Sequence, residues 1–154
     1  MASSVTNRGK KQILGQQFRN DAEPTNYFLA LALATPTPTV DVNLFADAEV
    51  DEIVAGNGYT AGGISLARNS TDFDVLTEDD TNDRALIQLK NIVWTAAGGN
   101  LPASGAGARY AVLTDDNATQ TLREVYTFWD LASDRTISDT QTLTLIDCEI
   151  RLTE

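Results

Sequence analysis

The sequence predicts an all-β protein: an antiparallel β-sandwich or jelly-roll-like domain with a short N-terminal helix and one small helical insert. Three observations point there. Apolar and polar residues alternate over seven or eight short segments, the two-residue period of a strand. Turn signals rich in Gly, Asp, Asn and Pro separate those segments every 8 to 15 residues. Threonine and alanine each occur 19 times in 154 residues, a supply of β-branched and small side chains suited to closely packed sheets. The chain divides into a basic N-terminal arm with the short helix, residues 1–23, and a single β-sandwich domain, residues 24–154, long enough for one self-supporting core.

In the arm, Asn7 is placed to cap a helix from Arg8 to Phe18, with Ile13, Leu14 and Phe18 on one apolar side. Gly9 and Gly15 each cost such a helix about 1 kcal/mol relative to alanine, so it needs a surface to dock on. Pro24 then marks an extended entry into the first strong strand, residues 27–34. Tyr27, Leu29, Leu31 and Leu33 share one face of it, and Phe28, Ala30, Ala32 and Ala34 the other. Such a strand is expected to be covered on both sides, most closely on the alanine side. A helix is the rival reading of this Ala- and Leu-rich run, but eight residues ending in Thr35-Pro36-Thr37-Pro38 are short for one.

Residues 35–39 read as a stiff polyproline-like connector. Residues 41–54 are predicted to hold the helical insert, with Leu44, Phe45, Ala48 and Ile53 apolar, stopped by Gly56-Asn57-Gly58. A strand over 59–67 follows, in which Gly62-Gly63 marks a bulge or a close backbone approach. Phe73, Val75 and Thr77 alternate with Asp72, Asp74 and Leu76 as a half-exposed strand, and residues 78–83 form a turn. Residues 85–95 read as one long strand, Ile87, Leu89 and Val93 inward, Gln88 and Lys90 outward.

Residues 96–108, with four glycines and a proline, are expected to be the longest and most mobile loop. Residues 109–114 and 123–131 read as a strand pair. The last run, 140–152, changes phase: Leu143 and Leu145 lie on one face, Ile146, Cys148, Ile150 and Leu152 on the other. A bulge or a change of sheet near Leu145 would reconcile them.

Composition excludes several chemistries. With no histidine there is no Ser-His-Asp or Cys-His catalysis and no imidazole metal ligand. The single cysteine, Cys148, excludes an internal disulfide and a multi-thiolate zinc site, and its strand context reads as a small buried hydrophobe. No apolar run approaches the roughly 20 residues of a membrane-crossing helix. The first residues lack an apolar signal core, so a cleaved leader is not expected and the sequons at Asn69 and Asn117 read as chance.

The net charge of −11 argues against nucleic acid as a partner. That charge is uneven. Arg8, Lys10, Lys11 and Arg19 give residues 1–20 a charge of +4 with no acid, which leaves −15 on the remaining 134 residues. A basic arm on an acidic body can bind an acidic partner surface or fold back onto its own body, and both readings stay open here.

The candidate chemical sites are weak. Glu78, Asp79, Asp80 and Asp83 form an acidic cluster, but an EF-hand register from Asp79 puts Arg84 where glycine is needed and Lys90 where the closing carboxylate belongs. A solvated turn is the plainer reading. Asp130 and Asp134, with Trp94 and Trp129 for sugar stacking, would be the pair for glycoside hydrolysis. Both tryptophans sit in apolar strands, where core packing explains them. No glycine motif has the lysine and helix of a phosphate cradle. No catalytic residue, cofactor or metal is therefore expected.

The order of pieces carries a resemblance. A short helix opening Thr6-Asn7-Arg8-Gly9-Lys10 precedes the strand Tyr27-Phe28-Leu29-Ala30-Leu31. Gly56-Asn57-Gly58-Tyr59-Thr60, Ile92-Val93-Trp94-Thr95-Ala96 and Phe128-Trp129-Asp130-Leu131 follow. In this the chain resembles small virion structural proteins of tailed bacteriophages, found as head decoration (cement) proteins or as tail and fibre components. The resemblance implies a non-enzymatic protein of the virion, assembled in the host bacterial cytoplasm without cofactor, nucleic acid or membrane. It implies binding to the major capsid protein lattice on the outer head shell, stabilising contacts between capsomers, typically as a homotrimer. The arm is the expected capsid contact, with Arg8, Lys10, Lys11, Phe18 and Arg19 as the candidate partner-binding residues. The alternatives are a tail, collar or fibre-base component, or a glycan-binding β-sandwich module.

Overall fold

The large-and-small alternation of the first strong strand organises the molecule. A computed structural model describes residues 3–47 and 49–153, and in it this segment is β2, Asn26–Ala32. Leu29 and Leu31 enter one buried cluster with Leu66, Leu113 and Trp129. Ala30 and Ala32, on the opposite face, enter a second with Val112, Tyr110 and Phe128. Both faces are covered, as the alternation predicts, and the alanines give the room the second layer needs.

β2 pairs antiparallel with β3, Ile64–Ala67, and with β7, Ala108–Thr114. β7 pairs in turn with β8, Val125–Arg135, and β8 with the two-residue β1, Ser4–Val5. The sheet order is β1-β8-β7-β2-β3. The chain enters β3 through Gly63, whose φ is +80° and where a Cβ would stand 1.9 Å from the Leu29 carbonyl oxygen. The glycine pair therefore marks a close backbone approach, and the strand begins only after it.

The predicted long strand over 85–95 is two strands. β5, Arg84–Leu89, lies between β4, Val75–Asp79, and β10, Cys148–Thr153, in a three-stranded sheet. β6, Ile92–Thr95, pairs instead with β9, Thr142–Leu145. Leu89 faces Cys148 and Ile92 faces Leu145, so both strands of this pair change sheet at one level. The inward residues at the break are three apart on each strand, which reverses the parity. Hence Ile92 and Trp94 are buried and Val93, expected inward, is 48% exposed. Lys90 accounts for the break: its N–H donates to the Asp72 carbonyl at 3.0 Å and its ammonium pairs with the Asp72 carboxylate. The change of sheet expected near Leu145 is the partner half of the same event.

Residues 41–54 do not form the expected helix. Asp47 takes the N–H groups of Asn43 and Leu44 at 2.7 and 2.9 Å into a turn, and the N–H groups of Phe45 and Ala46 donate to the Arg123 and Thr121 carbonyls at 2.8 and 3.3 Å instead of to carbonyls four residues back. Bridges Leu44 to Glu124 and Ala32 to Glu52 tie the excursion to the sheet. Val42 and Phe45 close the alanine side of β2, and Ile53 joins the leucine side. Ala48, one of the apolar positions of the expected helix, lies outside the described residues. Residues 96–108 are also less free than expected. Leu101 is fully buried and exchanges two main-chain hydrogen bonds with Ile137, each at 3.0 Å.

Both tryptophans are core residues, and the Trp129 indole donates to the Glu149 carbonyl at 3.1 Å. Cys148 is buried, and burial pushes its thiol up to about 11. No helix among the described residues is long and apolar enough to cross a membrane.

Leu29→Ala should cost about 2–5 kcal/mol in urea unfolding, the range for a buried leucine in a dense core. Leu76→Ala, on the edge strand β4 where the side chain is exposed, should stay within about 0.5 kcal/mol in the monomer. Equal losses at the two positions would contradict this core.

Candidate interaction surface on the N-terminal helix

The arm is folded back onto the body. α1 spans Asn7–Arg19, and its N-cap is Thr6 rather than the expected Asn7. Thr6 is fully buried; its hydroxyl accepts from Gly9 N–H at 2.8 Å and donates to the Val125 carbonyl at 2.5 Å. The cap therefore fastens the helix to β8 as well as closing its first turn. Asn7 contributes outside the cap, donating its backbone N–H to the Val40 carbonyl and its amide to Asp41. At the far end Asn20 adopts a left-handed conformation and its N–H returns to the Gly15 carbonyl.

The docking face is set by glycine. Gly9 lies on the main chain of Tyr126, where a Cβ would fall 2.2 Å from the carbonyl oxygen. Gly9 is buried there, Ile13 packs on the core, and Gln16 donates to the Tyr126 hydroxyl at 2.7 Å, whereas Gly15 is covered by the Asp21 side chain on the other side of the helix. The sequence expectation that Ile13, Leu14 and Phe18 would dock together is corrected. Only Ile13 turns inward, while Leu14 is 57% and Phe18 79% exposed. Helical spacing explains the result: Lys10, Leu14 and Phe18 are each four residues apart and form one stripe, turned away from Gly9 and Ile13.

Of the five candidate contact residues, Lys10, Lys11, Phe18 and Arg19 come together on this outer stripe around an open hollow of about 490 Å³. Arg8 does not. It turns to the body and forms an ion pair with Glu124, whose hydrogen bond raises the guanidinium pKa.

Besides Arg8, ion pairs engage Arg68 with Glu23, Arg84 with Asp79, Lys90 with Asp72, Arg109 with Asp130 and Arg151 with Glu149. Arg123 stacks on Phe28, 3.7 Å from the ring centroid, and Arg135 donates to the Leu131 carbonyl. Among the described residues only Lys10, Lys11 and Arg19 lack such a partner. All three stand beside Leu14 and Phe18, and Phe18 is the one aromatic residue that is exposed.

The other candidate sites resolve into structure. Asp79 accepts from Asn82 and Arg84, both at 2.8 Å, which holds its carboxyl below the usual range. No group of three or more acidic or thiol side chains could hold a metal ion among the described residues. Asp130 accepts both arms of Arg109, at 2.6 and 3.1 Å, and this contact depresses its pKa, the reverse of what a general acid requires. With Trp94 and Trp129 buried, the sugar-stacking surface proposed beside it is absent.

No known protein family, curated protein or solved structure matches this chain.

Sequence reasoning missed Leu14 as an exposed residue. Gly9 was the signal: with it laid against the sheet, Leu14, five residues on, falls on the far side of the helix.

Gly9→Ala should lift α1 from β8, while Thr6→Ala should cost about 1 kcal/mol or more. Hydrogen exchange across residues 7–19 reads both; protection unchanged in Gly9→Ala would contradict the docking geometry. Asp72, Asp79 and Asp130 all have lowered pKa values. Each stabilises the fold above the ordinary carboxylate pKa and loses that contribution as pH falls through its lowered value. Asp115, raised by burial, has the opposite sign and offsets part of the loss. The thermal midpoint should be flat from about pH 6 to 8, where no histidine titrates, and fall below about pH 4.

Proposed function

We propose that this chain is a non-enzymatic structural protein of a bacteriophage virion, a head decoration protein that binds the major capsid protein lattice and strengthens contacts between capsomers. One observation carries the reading. On an acidic body whose other cations are all engaged, three unengaged cations and two exposed apolar side chains share one helix face. That is the composition of a docking surface: apolar anchors for affinity, ringed by charges that steer encounter and fix register. The helix is held from behind by main-chain and glycine contacts, so little ordering has to occur on binding.

A repeating shell suits such a surface. Each site needs only modest affinity, because an oligomer engaging several equivalent sites gains effective concentration at each one. Arg8 leaves the contact set and Leu14 enters it, giving Lys10, Lys11, Leu14, Phe18 and Arg19. The homotrimer and the virion location come with the family resemblance.

The test is binding of the purified protein to undecorated heads, followed by sedimentation. Wild type should saturate at hundreds of copies per particle, and K10E/K11E should weaken binding at least tenfold. Saturation at a handful of copies would place the protein in the tail or fibre base. No binding to any virion part would overturn the reading.

A further inference from the structure

The surface that α1 needs as a partner is present on the chain itself. Register places Ile150 of β10, Ile87 of β5 and Leu76 of β4 in one row across the three-stranded sheet, with Leu152, Ala85 and Glu78 in the next row on the same face. At the inner end this face belongs to the core, through Leu89 and Cys148. Towards β4 it runs out from under the core. Ile150 and Ile87 are half-buried, whereas Leu152 is exposed and Leu76 is 77% exposed. An apolar sheet face of this kind calls for a covering layer. Its border is acidic: Glu78 on the face, with Asp74, Asp80 and Asp83 flanking it, all exposed.

The charge of that border selects the occupant. A second acidic sheet face would be repelled, and pairing of β4 with β4 would bring two acidic strands together. The outer stripe of α1 has the opposite sign and the same mixture of parts: Leu14 and Phe18 among Lys10, Lys11 and Arg19. Both surfaces are open within one copy, as the exposure of Phe18 and Leu76 requires, so they do not satisfy each other intramolecularly. We propose that the α1 stripe of one copy docks on the β4–β5–β10 face of a second copy, associating the chains head to tail. This rests on α1 being a docking surface and names a second copy of this chain as its partner in solution, which the capsid lattice displaces from the stripe on binding. The contact is heterologous: it closes into a ring or extends as a chain according to the rotation between copies.

The experiment uses the full chain alone, without virion parts, and measures mass by sedimentation equilibrium over a wide concentration range. Wild type should associate, and about 1 M salt, which shortens screening to about 3 Å, should reverse most of the association. K10E/K11E places acid opposite acid and E78K/D80K places base opposite base, so each alone should be monomeric. An equimolar mixture should associate again, since each variant then meets its opposite charge. That recovery also shows that both variants are folded.

A monomeric wild type overturns the inference, as does a mixture that stays monomeric or a K10E/K11E protein that still self-associates. Head binding by a wild type that is monomeric in solution would overturn this inference alone. Self-association without binding to any virion part would overturn the proposed function and leave this one standing.

Discussion

The rest of the structure depends on the contact between Gly9 and the Tyr126 main chain. Because Gly9 has no side chain, the helix backbone rests directly on β8, and Thr6 bonds both to the helix and to the strand. That approach fixes the rotation of α1 about its axis. Once Gly9 faces the sheet, Lys10, Leu14 and Phe18 must face solvent. The exposed stripe is thus a consequence of backbone packing on the opposite side of the helix. A helix held by long apolar side chains would have consumed Leu14 and Phe18 in its own docking.

The second open surface has a parallel origin. The strand pair of β5 with β10 hands over to β6 with β9 at one level, where Lys90 is drawn to Asp72 and the parity of both strands reverses. Beyond that level the three-stranded sheet diverges from the core, and its apolar rows continue past the point where the body covers them. One molecule therefore carries a cationic apolar stripe and an anionic apolar sheet face, each left open by a local packing constraint. With the remaining cations engaged and a net charge of −11, repulsion disfavours unspecific contacts between copies.

Much of the architecture was legible in the chain, for physical reasons that differ by segment. Alternation made β2 readable because large and small side chains segregate onto opposite faces, and the phase change at Leu145 marked a true change of sheet. The same event at Lys90 was hidden because residues 85–95 keep strand propensity on both sides of the break; a charge pairing ended the ladder, and the single Asn91 was its one turn residue. The insert at 41–54 misled through its apolar spacing. Asp47 diverted backbone donors into a turn, and the sheet supplied partners that a helix could not. In α1, four of the five expected contact residues do share a face, while Arg8 was drawn away by Glu124, more than a hundred residues distant in sequence.

The central claim is that this molecule acts through the outer stripe of α1, and its three lysines allow a direct reading. Lys10 and Lys11 lie on the stripe, while Lys90 is engaged by Asp72 and serves as an internal reference. Amine-reactive labelling of the free protein, diluted until it is monomeric, and of the protein within its assembled particle, compared by mass spectrometry, should show Lys10 and Lys11 strongly protected on assembly and Lys90 unchanged. Lys10 and Lys11 labelled equally in both states would contradict the account.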